Sequence, residues 1–190
     1  MPAKSLVELT QHAKAHPHTI NFASPGYGTQ PHLLGETLKA SAGIDIVHVP
    51  FKGPAAALTD LLAGQVQMYF ETSPLILPQA NAGKLRVLAI AGNGRLSHLP
   101  GVPTTRESGF PNLVGGFWSG LVAPPGTPAD IVATINAAAN EAMRSPEVRT
   151  AIETLGASQQ LGTPTEFRNF ISAETRKWTE IIRSAGVKID

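Results

Sequence analysis

Ile20-Asn21-Phe22-Ala23-Ser24-Pro25-Gly26-Tyr27-Gly28-Thr29-Gln30-Pro31-His32 begins with a short apolar run, turns through two glycines and leads into the helical pattern Leu33-Leu34-Gly35-Glu36-Thr37-Leu38. That order predicts a strand over Ile20 to Ala23, a glycine-rich turn and a helix start. Gly26 and Gly28 let backbone come close to a ligand. Ser24 and Thr29 would add hydroxyl donors beside the unpaired N–H groups of the first helical turn. A place of this kind binds anions. The plainer alternative is that Thr29 is only an N-cap and the glycines only a tight turn.

Outward from this stretch the same alternation repeats. Upstream, Pro2 to Ala15 predicts a helix with Ser5 as N-cap, Glu8 three residues on, Leu6, Leu9 and Ala13 on one face, and Pro17 as the stop. Downstream, a helix from about Thr29 to Ala42 closes at Gly43, and the β-branched run Asp45 to Phe51 predicts a strand. After the turn Lys52-Gly53-Pro54 comes a helix from Ala55 to Ala63, ended by Gly64, then a strand from Val66 to Phe70. Glu71-Thr72-Ser73-Pro74 starts a short helix to Asn81, and Leu85 to Ala91 reads as a further apolar strand. Strands alternating with helices argue for an α/β fold, a mostly parallel sheet with helices on its faces. Ligands of such sheets sit beyond the carboxyl ends of the strands. Three turns share that address: Ser24 to Thr29, Phe51 to Gly53 and Glu71 to Ser73. Lys52 brings a positive charge, and Glu71 could accept from a ligand hydroxyl or ammonium. Alternatively, Lys52 is a solvated turn residue and Glu71 a charge that complements a helix dipole.

The character changes from Asn93 to Gly116, a segment rich in Gly, Pro, Ser and Thr with a short helical turn at Arg106 to Ser108. Val114-Gly115-Gly116 reads as a crossing between two bodies. Phe117 to Ala123 is a buried strand by composition. Three helices follow: Pro128 to Met143 with Thr127 as N-cap, Pro146 to Leu155, and Thr163 to Ala185. The last opens on the capping box Thr163-Pro164-Thr165-Glu166 and carries the apolar stripe Phe167, Phe170, Ile171, Trp178, Ile181, Ile182. A region with several helices and one good strand is missing its sheet.

Composition narrows the function classes. The 190 residues suffice for one full core or two small ones, and 42% are apolar and 15% charged. Fifteen Lys and Arg against fourteen Asp and Glu, with no basic run, give no indication of nucleic acid or a membrane surface as partner. With no cysteine, disulfides, Cys-based zinc sites and thiol nucleophiles are excluded. Met1 to Glu8 has no apolar signal-peptide core, and no run approaches the roughly 20 apolar residues of a membrane span.

The phrases Ser24 to Glu36, His48-Val49-Pro50-Phe51-Lys52-Gly53, Ala56 to Val66, Ala82 to Ala89, Pro103-Thr104 and Trp118 to Pro124 together resemble the Bug-type receptors. These are the extracytoplasmic solute-binding proteins of tripartite tricarboxylate transporters. The resemblance covers essentially the whole chain, and several long phrases in order make it far more specific than one glycine motif. It implies a type II periplasmic-binding-protein-like clamshell holding a small carboxylate between two lobes, with the membrane components of the transporter as partners and a periplasmic location. On this reading residues 1–113 are a complete second lobe, 114–116 the hinge crossing and 117–190 the C-terminal part of the first lobe. The N-terminal part of the first lobe and a signal peptide are absent, so impaired binding is the expectation. The ligand residues implied are Ser24, Pro25, Gly26, Tyr27, Gly28, Thr29, His32, Lys52, Glu71 and Trp118.

Competing classes fit less well. A dinucleotide enzyme would want a third glycine where Pro31 stands, and an acid where the next strand ends in Phe51 and Lys52. A Ser24/His32 hydrolase lacks the Gly-x-Ser-x-Gly elbow and an orienting Asp. His12, His16 and His18 suggest a solvated helix end more than a metal site, because Pro17 interrupts the helix and no fourth ligand is near. A ligand-sensing regulatory domain of the same clamshell fold is the runner-up, without a DNA-binding segment to support it. The expectation is a binding protein with no cofactor and no catalysis. Its apolar run from Phe117 to Ala123 would be covered in a homodimer through 117–190.

Overall fold

The computed structural model describes residues 3–155, 157–184 and 186. The chain divides into two compact units, Met1–Phe117 with Ile181–Asp190, and Trp118–Glu180.

In the first unit, Leu6–Ala15 forms α1. Ser5 Oγ accepts the Glu8 amide at 3.1 Å, and the Glu8 carboxylate accepts the Lys4 amide at 2.8 Å. Leu6, Leu9, Thr10 and Ala13 are its buried face, as the apolar spacing predicts. Next come β1 (Asn21–Ser24), α2 (Gln30–Ala42), β2 (Val47–Pro50), α3 (Pro54–Leu62), β3 (Met68–Tyr69) and α4 (Ser73–Asn81). The three strands form a parallel sheet in the order β2-β1-β3. With β1 central, its buried residues Phe22, Ala23 and Ser24 lie at the middle of the sheet. The register sets Ser24 opposite Pro50 and Ala23 opposite Tyr69. All three strands therefore deliver their following turns to one carboxyl edge, as the alternation predicts.

Two glycines set the closeness of α2. Gly43 ends the helix in the left-handed region, φ 59°, its amide bonded back to the Lys39 carbonyl. Gly35 lies where an added Cβ would overlap the ring of Phe22. A helix-interior glycine normally costs about 0.5–1 kcal/mol relative to alanine. Here it lets the fully buried Phe22 lie against the helix backbone, beside Leu34 and Leu38 of the same core.

Two expected strands are absent. Leu85 to Ala91 is irregular, and only Ile90 makes a bridge, parallel to Thr104. The apolar run is half-exposed, and apolar composition does not make a strand without a neighbour to complete its ladder. Phe117 to Ala123 is likewise irregular and far from buried: Phe117 is 77% exposed, Leu121 71% and Val122 74%.

The second unit is helical: α5 (Ala129–Arg144), α6 (Pro146–Thr154) and most of α7 (Pro164–Ser184). Pro128, not Thr127, is the N-cap of α5; its ψ of 143° is extended, and the Thr127 hydroxyl donates instead to the Pro124 carbonyl at 2.8 Å. The Thr163/Glu166 capping box forms as read: the Thr163 amide donates to Glu166 at 2.7 Å and the Glu166 amide to Thr163 Oγ1 at 3.2 Å. The expected end of α7 at Ala185 lies outside the described residues. Asn136 and Asn140 both donate to the Gly162 carbonyl, at 3.0 and 2.9 Å, tying α5 to the start of α7. No residue of these three helices is buried.

Candidate anion site

At the carboxyl edge of the sheet the chain makes three helix starts of one kind. α2, α3 and α4 each carry a proline in the first turn, lack a side-chain cap and have no acidic residue in that turn. The other helices differ. Ser5 caps α1 and Ser145 caps α6, α7 has its capping box, and α5 has Asp130 in its first turn. Uncapped helix starts present unpaired N–H groups and the positive end of the helix dipole.

The turn after β1 is built from its glycines. Gly28 lies at φ 72° and Gly26 at φ 143°, conformations that side chains with a Cβ rarely adopt. The Ser24 side chain, expected to be a free donor, is fully buried and engaged within the turn. Its Oγ accepts the Gly26 amide at 3.1 Å and lies 2.6 Å from His48 Nε2 and 2.9 Å from the Gly26 carbonyl. One hydroxyl proton satisfies all three contacts if His48 Nε2–H donates to Oγ and Oγ–H donates to Gly26. Thr29 is the N-cap by position, but its hydroxyl also turns inward, donating to the Gly26 carbonyl at 2.7 Å. Both hydroxyls shape the turn. Among the described residues the backbone amides of Tyr27, Gln30 and His32 have no protein acceptor.

The His32 side chain, expected at the ligand, is buried, the residue being 4% exposed. Its Nδ1 accepts the Gly28 amide at 3.0 Å, which requires that nitrogen to be unprotonated. Its ring stacks on that of His48 at 3.9 Å, with Phe22 against His48 at 5.0 Å and Tyr27 edge-on to both imidazoles at 5.6 and 5.1 Å. Burial pushes both rings toward the neutral form. His32 is lowered from its ordinary value mainly by burial, with Glu36 opposing. His48 is lowered to about 4 by burial, then by His32 and Lys39. In the sequence His48 stands only within the family phrase His48 to Gly53, which assigns it no role. Its alternation on β2 is the one signal that placed it beside β1.

The remaining expected residues are placed as follows. Pro25 is half-buried within the turn and Tyr27 is 63% exposed above the imidazoles. Lys52 is exposed at the start of α3 and has no ion-pair partner among the described residues. Both oxygens of Glu71 accept from the protein. Tyr69 donates its hydroxyl to one, and the Thr72 amide donates to the other at 2.7 Å. Burial, and then Glu71, raise the Tyr69 phenol above its ordinary pKa and keep it a donor. Trp118 belongs to the second unit, packed edge-on against Phe167 and Phe170 at 5.8 and 5.2 Å. His12 and His16 stack at 4.5 Å and His18 meets Asp45 at 3.3 Å; no metal-binding group of three was found among the described residues.

Residues 1–187 match the family described as the tripartite tricarboxylate transporter family receptor. The chain belongs to this family. BugT of Bordetella pertussis is 37% identical over 185 residues, covering 97% of this chain and 57% of that protein. A Rhodopseudomonas palustris protein determined with adipate superimposes with a TM-score of 0.87 at 29% identity, over 98% of this chain and 62% of that one. MatC from Rhodopseudomonas palustris, determined with bound malate, gives 0.78 at 32% identity, over 95% and 63%. The chain thus spans a little over half the length of BugT and under two thirds of these solved receptors. Its fold is the α/β fold of periplasmic solute-binding receptors, with the parallel sheet described above. Among the described residues no helix is long and apolar enough to cross a membrane.

Proposed function

We propose that this chain is a solute-binding receptor that captures a small carboxylate at the carboxyl edge of its sheet, and that it is not a catalyst. One observation carries the reading: α2, α3 and α4 begin together at that edge, each uncapped and without an acid in its first turn. A carboxylate placed there accepts from the amides of Tyr27, Gln30 and His32, which have no protein acceptor among the described residues. Charge-assisted bonds of that kind are roughly twice as strong as neutral ones, so backbone donors suffice without an arginine. Lys52 adds attraction at the rim. Two relatives of this fold were determined with adipate and with malate, which supports the same ligand class here. The partners that go with this reading are the membrane components of a tripartite transporter, in the periplasm. The exposed apolar segment Phe117 to Val122 pairs with a second copy of the chain.

The test is a titration of the 15N-labelled chain with adipate at pH 7.5. Saturable amide shifts concentrated at Tyr27, Gly28 and Gln30, abolished in Gly28→Val, are the expected result. Shifts spread evenly over the chain, or unchanged in Gly28→Val, would remove the site.

A further inference from the structure

We propose that His32 and His48 are positioning residues for the anion turn: a stacked pair of imidazoles that holds the turn only while His32 Nδ1 is unprotonated. The inference concerns the same site as the carboxylate reading, on which its consequence for binding rests.

The geometry supplies the grip at two points. His48 on β2 holds the entry of the turn through Ser24 Oγ at 2.6 Å, and His32 on α2 holds its crest through the Gly28 amide at 3.0 Å. The two rings stack at 3.9 Å, so each anchor packs against the other. Gly28, at φ 72°, has no side chain to fix the turn. With Gly28 N–H directed down to His32, and Ser24 and Thr29 hydroxyls directed to Gly26, the amides of Tyr27, Gln30 and His32 are the ones left for a ligand.

Protonation acts on the two rings differently. His48 uses Nε2 as a donor, so a proton added at Nδ1 leaves its bond to Ser24 in place. His32 uses Nδ1 as an acceptor, and a proton there sets two N–H groups against each other. Other titratable groups act on the pair as well, Glu36 favouring and Lys39 opposing a charge on His32. From α2 the pair faces Glu36 and Lys39, which are bonded to each other at 3.1 Å, and from the turn it faces the Tyr27 ring. β1 contributes Phe22 and Ser24, neither of which titrates. Two charged rings at such a distance would repel each other, which opposes protonation of both at once. Burial lowers both rings from their ordinary value, which keeps the pair neutral near pH 7.

The experiment follows the Gly28 amide and the imidazole nitrogens of the 15N-labelled chain from pH 7.5 to 4. Expected are two neutral rings with Nε2–H tautomers at pH 7.5, and a Gly28 amide that moves with the same midpoint as His32, below 6.5. His32→Asn keeps an acceptor without a titration, so its Gly28 amide stays near the wild-type position and becomes independent of pH. His32→Leu displaces that amide already at pH 7.5. In binding at pH 7.5, adipate affinity in His32→Asn stays within about threefold of wild type and falls at least about tenfold in His32→Leu, the loss of one buried hydrogen bond. Charged rings at pH 7.5, a Gly28 amide that does not follow His32, or full rescue by His32→Leu would overturn the inference. A wild-type chain that ignores adipate while Gly28 follows His32 would overturn the carboxylate reading and leave the positioning role standing.

Discussion

His48 shows how a single buried side chain ties the stability of the fold to pH. Its folded pKa of about 4 lies below the ordinary 6.5, mainly because burial disfavours the charged ring. Above pH 6.5 both folded and unfolded rings are neutral and the full contribution to stability is present. As pH falls below 6.5 the unfolded ring takes a proton that the folded ring refuses, and stability declines until the folded ring also protonates near pH 4. Urea midpoints should therefore fall between pH 7 and 4.5, and His48→Gln, which keeps a donor toward Ser24 without titrating there, should show a shallower fall. An identical slope in the variant would assign the pH dependence to other groups. Glycine was legible at this scale because φ 72° at Gly28 and 59° at Gly43 demand it. The inward direction of the Ser24 and Thr29 hydroxyls was not, because residue type does not say which acceptor a hydroxyl meets.

Among the elements, α2 depends on one missing methyl group. Alanine at an exposed helical glycine is stabilising by roughly 0.5–1 kcal/mol. At Gly35 the added Cβ would overlap the ring of the fully buried Phe22, and overpacking costs about 1–3 kcal/mol. Gly35→Ala is expected to destabilise, read as a lower urea midpoint with an unchanged slope, and to disturb the His48 contact through Phe22. A higher midpoint would mean that Phe22 has room to shift. Several helix limits were readable, since Ser5, Gly43, Thr163 and Glu166 act at helix ends through local bonds, while the N-cap of α5 is Pro128 and not Thr127. The strands were read less well. Leu85 to Ala91 and Phe117 to Ala123 have strand composition, but a strand exists only where another pairs with it.

For the whole molecule, the two units contrast in how they bury apolar surface. The first has a core around Leu9, Ile20, Phe22, Leu38 and Ile46, each at most 1% exposed. The helices of the second have no buried residue, and Phe117, Leu121 and Val122 stand more than 70% exposed. Covering one large apolar side chain is worth roughly 1.5–3 kcal/mol. The proposed pairing with a second copy predicts a concentration-dependent dimer in sedimentation velocity at micromolar protein, weakened in Leu121→Ser/Val122→Ser. A monomer throughout that range, indifferent to the substitutions, would refute it.

By itself the sequence determined the α/β alternation, the helix ends, the glycine-rich turn at a carboxyl edge and the receptor family, because these follow from local periodicity, backbone conformation and motif order. Only the tertiary structure decided which polar groups of the carboxyl-edge turns are taken by protein partners. Ser24, Thr29, His32 and Glu71 have the chemistry of ligand donors and acceptors, yet each is engaged with a protein partner. One of those partners, His48, lies 24 residues away from Ser24 along the chain and arrives only through the pairing of β1 with β2. A hydrogen bond of that kind depends on distance and direction in space, and neither is written in the order of residues.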